Sequence, residues 1–337
     1  MATSRRPRRT LALLLGCAVL VAPAACSSDD DSGGQEPDKK ASKPPARLPL
    51  TGEVAKSGIP DRPALVVKVD NTSSAEPQIG LGRADLVVEE LVEGGATRLA
   101  AFYQSRLPGD VGPVRSMRTS DAGIVAPTEG VLVASGAAGV VTRAIRDAGI
   151  PTATEGAPGF SRDGARPAPY NLVVDPKALI KGLDDPPGPP GTPYLPWATS
   201  DSATPAASGK RVTSAQVTFS PAQTTRWGYT QGQGWTRENG LSAVGDSFVA
   251  DQLLVLRVTT KDAGYRDPAG NPVPETVTTG EGRAVLLLGD RRVNAAWEKA
   301  SEEEPFRLAT KSGEELTLPP GNTWIELVPK EGGVTTG

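Results

Sequence analysis

The sequence predicts an α+β protein, a mixed α/β N-terminal domain followed by a β-rich C-terminal domain. Three observations predict it. Up to residue 183, strand-like apolar runs alternate with segments suited to helices. Residues 184–209 are then dense in Pro, Gly, Ser and Ala, a composition expected of a linker. From Val212 onward, short runs rich in β-branched and aromatic residues recur between Gly, Pro, Asn and Asp. A chain of 337 residues holds two ordinary domains once its non-globular start is set aside.

That start reads as an export signal. Arg5, Arg6, Arg8 and Arg9 precede an apolar stretch, 11–21, that is too short to span a membrane. Ala24-Ala25-Cys26 resembles a lipoprotein processing site, with cleavage before Cys26 and a lipid on its sulfur. Pro23 stands where such sites usually carry Leu. Leu14-Leu15-Gly16-Cys17 fits the local pattern, but its apolar stretch would be too short. Plain secretion and a retained anchor are the other readings. Residues 26–46 form a polar, Pro-rich tether. Removing four arginines leaves a body more acidic than the −3 of the whole chain, with no pull toward anionic headgroups. The lipid must therefore hold it on the outer face of the cell membrane.

Composition excludes several classes. The chain has no histidine, which removes Ser-His-Asp and Cys-His catalysis and the commonest transition-metal ligand. Both cysteines, Cys17 and Cys26, lie in or beside the signal, so the body has no internal disulfide. No metal and no cofactor are expected. A pI near 5.4 and the lack of a dense basic patch argue against nucleic acid.

In chain order, residues 64–70 form a strand ended by Asn71. Residues 76–81 are a loop. Two apolar runs flanking Gly94-Gly95 then predict a hairpin, with helix as the competing reading of 85–93. A two-residue loop pairs Glu93 with Ala96, Leu91 with Arg98 and Glu89 with Ala100. Glu89, Leu91 and Glu93 then share a face with Arg98, which sits between two carboxylates. This is an exposed ion pair or a cleft with a tuned carboxylate. Pro113 suits the first turn of a helix carrying Arg115 and Arg118 at i, i+3. Those guanidinium groups either receive an anion or neutralise Asp110, Asp121 and the hairpin glutamates.

Residues 130–136 read as a buried strand and 137–148 as an amphipathic helix. Their Ser135-Gly136-Ala137-Ala138-Gly139 junction is a weak anion-site signal or a tight connection; it lacks the Lys-Ser/Thr of a nucleotide loop. Residues 171–175 form a short strand before a helix from Pro176. Strands are predicted over 215–219, 226–229, 253–259, 284–288, 291–297 and 324–328, suggesting an antiparallel sheet or small barrel. Trp227, Trp235, Trp297 and Trp324 would pack its core or line a sugar surface.

Several motifs resemble the YerB family of bacterial lipoproteins: Val69-Asp70-Asn71, Pro77-Gln78-Ile79-Gly80-Leu81, Val92-Glu93-Gly94-Gly95, Thr97-Arg98, Gly112-Pro113-Val114-Arg115-Ser116-Met117-Arg118 and Gly321-Asn322-Thr323-Trp324-Ile325. The resemblance covers about residues 48–330. It implies a two-domain envelope lipoprotein whose reaction, if any, is unknown. Tyr170 replaces the His that this family typically carries before Asn171-Leu172, and a second His expected after the Val131 strand is absent.

Three functions from different classes follow. The first is an envelope module binding wall glycan or a partner protein through an Arg/Glu-lined cleft, with Asp70, Asn71, Arg98, Arg115, Arg118, Ser135 and Asn171 as binding residues. The second is a peptidoglycan-cleaving, lytic-transglycosylase-like enzyme with Glu89 or Glu93 as the acid. An arginine beside such a Glu lowers its pKa, which is wrong for an acid at neutral pH. The third is a solute-binding lipoprotein, but two similar α/β lobes are not visible.

Overall fold

A computed structural model describes residues 44–199 and 209–337. The export signal, Cys26 and nearly all of the tether lie outside the described residues, as do 200–208 of the expected linker.

The frame grows from apolar strands. β1 (Leu65–Asp70), β2 (Leu86–Leu91) and β3 (Thr97–Tyr103) are almost entirely buried, which requires cover on both faces. β1 and β2 flank β3 antiparallel, while β4 (Val131–Ala134) runs parallel to β1 and β5 (Thr152–Thr154) parallel to β4. Helices α1 (Asp121–Val125) and α2 (Gly139–Asp147) pack Ile124, Val125, Val141 and Ile145 against Val66, Phe102 and Leu132. β6 (Phe160–Arg162) and β7 (Leu172–Val174) form a small ribbon. α3 (Pro176–Gly182) starts at Pro176, with the Asp175 carboxylate accepting from the N–H groups of Lys177 (2.8 Å) and Ala178 (3.2 Å).

The second half adds β8 (Lys210–Arg211), β9 (Ser214–Ser220), β10 (Gln223–Thr230) and β11 (Gly234–Arg237). A long arm follows, β12 (Gln252–Arg266) with β13 (Pro272–Val277). β14 (Gly280–Leu288), β15 (Arg291–Lys299), β16 (Arg307–Ala309), β17 (Thr323–Pro329) and β18 (Gly333–Thr336) complete it. Each strand expected from the sequence is present here. Their assembly differs from a separate sheet or barrel. β17 runs parallel to β12 on one side and to β2 on the other. One sheet therefore runs β16-β15-β14-β12-β17-β2-β3-β1-β4-β5 through both halves. A four-stranded sheet, β11-β10-β9-β18, is separate from it. Strands dominate throughout, and the expected α/β character of the first half comes down to three short helices among the described residues.

Each face of the large sheet has its own core. Val66, Val88, Phe102, Leu254 and Ile325 belong to one. Val67, Val87, Leu99, Trp227 and Trp324 belong to the other. All four tryptophans are core: Trp227, Trp235 and Trp324 are fully buried, and Trp297 nearly so. Trp324 meets Trp227 edge-on at 5.1 Å and Phe248 at 5.7 Å between ring centroids. Part of the expected linker is also anchored. Tyr194, Leu195 and Trp197 are buried, with Tyr194 Oη donating to the Ile124 carbonyl (2.9 Å) and Trp197 Nε1 to that of Pro49 (3.0 Å). Its Pro and Gly content hid these apolar anchors.

No helix starts at Pro113. Val69 bridges Val114, the Asp70 N–H donates to the Pro113 carbonyl and the Arg115 N–H to that of Lys68. β1 thus draws residues 113–115 into extended pairing, and the helix begins only at Asp121.

Residues 45–199 expressed alone would expose the edge of β2 that β17 covers. We expect that fragment to aggregate on size exclusion and to be recovered as soluble protein when co-expressed with residues 209–337.

Candidate functional site

The hairpin is present, but its connection has three residues. Glu93–Gly95 form a turn in which Gly94 (φ 68°) and Gly95 (φ 75°) take the left-handed conformation, closed by the Val92 N–H on the Ala96 carbonyl. The longer loop shifts the register by one, so Glu90 faces Arg98 and Glu89 faces Leu99. Such a slip exchanges faces. Glu89 therefore leaves the face of Arg98, and Glu90 takes its place. Asp70 lies opposite Arg98 on the other side.

Beneath this end of the sheet is a dry ionic triad. Lys68 Nζ is 2.6 Å from both Glu90 Oε1 and Asp121 Oδ1, and none of the three side chains is exposed. Asp121 Oδ2 accepts the Arg118 backbone N–H at 2.7 Å. Burial opposes the Lys68 charge, but Asp121 and Glu90 outweigh it and raise its pKa. Burial pushes the Asp121 carboxyl up to about 6 despite Lys68, with the Glu90 charge adding to the rise.

Above the triad sit the arginines. Arg98 Nη1 is 3.3 Å from Asp70 Oδ1, and Arg115 Nε is 2.8 Å from Asp70 Oδ2. The Arg115 contact is one of charge rather than an aligned hydrogen bond, since neither atom of the pair has a directed partner. Asp70 Oδ1 also accepts the Thr72 N–H and hydroxyl, both at 2.8 Å. Arg98 is 5% exposed and its Nε has no partner. Burial lowers its pKa, and Arg115 and Arg118 reinforce this against Asp70 and Glu93. The Arg115 guanidinium lies over the Tyr170 ring, 5.1 Å from its centroid. Arg118 grips Glu93 with two N–H groups, Nε at 2.9 Å and Nη2, and donates Nη1 to the carbonyls of Ser116 and Met117. Burial raises the Glu93 pKa, but the Arg118 bonds and charge win and lower it.

Of these groups Arg118 lines a cleft of about 610 Å³ between the 115–118 loop, the 135–138 turn and the β12–β13 arm, where Arg266 and Asp267 also stand. Ser116 and Ser135 hydroxyls meet at 3.2 Å on one wall. Tyr265 stands on the other, its hydroxyl unpartnered and pushed up to about 12 by burial. A similar groove is lined in part by Trp297, one of the four tryptophans considered for a sugar surface, and another surrounds Tyr229 without any candidate site residue.

The nominated residues thus divide. Asp70, Arg98, Arg115, Arg118, Glu93 and Ser135 gather at this end of the sheet. Asn71 and Glu89 lie under the four-stranded sheet, where Glu89 accepts from Asn71 Nδ2 (3.0 Å), Thr97 Oγ1 (2.7 Å) and Thr225 Oγ1 (3.0 Å). Glu89 is fully buried beside Glu326, its register partner on β17. Burial and the Glu89 charge push the Glu326 carboxyl well above the usual range, and Trp227 Nε1 donates to it at 2.8 Å. Asn171 is held by Arg162 (2.7 Å) on the β6–β7 ribbon. Lys68, Glu90, Asp121, Tyr265 and Glu326 were not nominated. Lys68 left a signal, a charge inside the apolar run Leu65-Val66-Val67-Lys68-Val69, and Glu90 and Asp121 were legible only as counter-charges for the arginines. Among the described residues no three His, Cys, Asp or Glu side chains are grouped to hold a metal.

Residues 50–187 match the family model described as protein of unknown function (DUF3048), N-terminal domain, and residues 215–325 its C-terminal domain. Over 72 residues the chain is 46% identical to a protein described as putative lipoprotein YerB of Bacillus subtilis (strain 168). That match takes in 21% of this chain and only 22% of the relative. The fold resembles the crystal structure of the YerB protein from Bacillus subtilis, with a TM-score of 0.72 and 21% identity over 86% of this chain and 99% of that one.

Two outcomes follow from the triad. Lys68→Met strands two buried carboxylates and should cost about 3–5 kcal/mol in denaturant unfolding. Asp121 titrates at 3.8 when unfolded and about 6 when folded, so its contribution is present below 3.8 and is lost as pH rises through 6. Asp121→Asn should flatten stability across that window, read from urea midpoints at a series of pH values.

Proposed function

The chain belongs to the two-part DUF3048 family, and from that premise we propose that it is a lipoprotein, held on the outer face of the cell membrane through Cys26, that binds the cell wall. The arginine cluster of Arg98, Arg115 and Arg118, beside the cleft that Arg118 lines, captures an anionic group of the wall. An envelope protein presenting such a group is the other ligand of the same class.

The observation that carries this reading is Arg98. A guanidinium removed from water normally satisfies its five donors. Arg98 has one carboxylate contact, at 3.3 Å, and shares that carboxylate with Arg115. Arg118 is taken up by Glu93, so an incoming anion would give Arg98 the second partner it lacks.

The same geometry weighs against glycan cleavage. Glu93 is held ionised by Arg118, the reverse of what a general acid needs, and Glu89 is sealed between sheets.

The chain from Cys26 onward, with Cys26→Ser to keep it in solution, should co-sediment with purified sacculi without releasing muropeptides detectable by mass spectrometry. Arg98→Ala should lower the melting temperature, since Asp70 is left with Arg115 alone, and should weaken capture about tenfold in the protein that remains folded. Release of products that stops with Glu93→Gln would replace this reading with glycan cleavage.

A further inference from the structure

We propose that Lys68 and Asp121 condense into an intramolecular amide, with Glu90 carrying the protons, which makes the buried triad a site of self-modification. The bond forms within the folded chain and needs neither wall nor ligand, so it stands apart from the wall-binding reading.

Lys68 lies on β1 and Glu90 on β2, the two strands that flank β3. Their register partners on β3 are Ala100 and Arg98, and the small Ala100 leaves the lysine room to reach across. Asp121 opens α1 and meets the same ammonium from 53 residues further along the chain. Both contacts are 2.6 Å, so the Asp121 carboxyl carbon lies one bond beyond an oxygen already in contact, within reach of the amine. None of the three side chains is exposed, and a site that excludes water favours condensation over hydrolysis.

The two carboxylates are not equivalent. Asp121 Oδ2 accepts the Arg118 backbone N–H at 2.7 Å, a donor placed to hold the negative oxygen of a tetrahedral intermediate. Glu90 Oε2 has no hydrogen-bond partner, so this carboxylate keeps an oxygen free to carry a proton. Asp121 is thus the electrophile and Glu90 the proton carrier. Glu90 takes one proton from Lys68 Nζ and passes it to Asp121 Oδ1, leaving a neutral amine and a neutral acid. Burial favours both neutral forms against the pull of the ion pairs. The Nζ lone pair adds to Asp121 Cγ. Glu90 takes a second proton from Nζ and passes it to the same oxygen, the Cγ–Oδ1 bond breaks and water leaves. An ammonium and a carboxylate become a secondary amide and one water. Nothing is oxidised or reduced, and Glu90 ends ionised as it began. With no cysteine after residue 26, the body has no disulfide to draw on, and the amide would tie β1 to the helix that follows the Arg115 and Arg118 loop. The pH dependence derived above for Asp121 belongs to the uncondensed triad.

The test is the intact mass, under denaturing conditions, of the chain from Cys26 with Cys26→Ser. It should fall short of the sequence mass by one water. A tryptic digest should leave Lys68 uncut and yield residues 57–83 joined to residues 119–143, since trypsin does not cut Arg62-Pro63. Fragmentation of that branched peptide should place the link between Lys68 and Asp121. Glu90→Gln keeps the size of the side chain but cannot carry the proton, so the folded variant should keep its full mass. Asp121→Ala should keep its full mass as well. If either variant fails to fold, the wild-type mass and the mapped link still decide. A folded wild-type chain that holds its full sequence mass after prolonged incubation on either side of the Asp121 titration overturns the proposal. So does a link mapped to Glu90, a water lost as a succinimide at Asp163-Gly164, or Glu90→Gln that condenses as fully as wild type. A full-mass chain that still co-sediments with sacculi leaves wall binding standing.

Discussion

The charged end of this sheet depends on the Lys68 ammonium, which has no water around it. A lysine is rarely buried without partners, and here Glu90 and Asp121 supply them at 2.6 Å each. Asp121 begins α1, and its second oxygen holds the Arg118 backbone. Lys68 therefore fixes more than its own strand. Through Asp121 it positions the loop that carries Arg115 and Arg118, which lets three arginines converge without a helix beneath them. The arrangement keeps Arg118 occupied by Glu93, while Arg98 and Arg115 share one aspartate. Of the three, the least satisfied guanidinium is the most buried.

Local patterns carried much of the fold into the sequence. The strand runs from Leu65, Val131 and Leu253 onward, the helix after Ala138 and the proline-started helix at Pro176 follow from apolar period and capping chemistry. The hairpin was legible, but its register was not. Gly94-Gly95 signals a turn without saying whether Glu93 joins the loop, and that one residue decides whether Glu89 or Glu90 faces Arg98. The extended path of residues 113–115 could not be read locally either, because their hydrogen-bond partners are Lys68, Asp70 and Leu172.

The site was half legible for the same reason. Asp70, Arg98, Arg115 and Arg118 could be nominated because charge stood out in apolar or turn contexts. Asp121 stood out only as a counter-charge for Arg115 and Arg118, and Tyr265 not at all, since their roles come from what packs over them. The β12–β13 arm that carries Tyr265 reaches the 115–121 segment through Thr119 Oγ1 on Glu275 Oε2 (2.9 Å) and the Thr276 N–H on Ser120 Oγ (3.3 Å). Nothing in either segment alone announces those contacts.

Glu326 shows why the two halves cannot be read as independent. It sits on β17 against Glu89 of β2, and burial and the Glu89 charge both favour its protonated form. Protonation of Glu326 relieves the repulsion between two carboxylates placed side by side across the junction. Threonines, Asn71 and Trp227 occupy the remaining sites around the pair. This buried seam joins the large sheet across the family's two parts. It also places the β12–β13 arm over the arginines. One wall of the cleft belongs to each half, so the cleft exists only where β17 lies between β12 and β2.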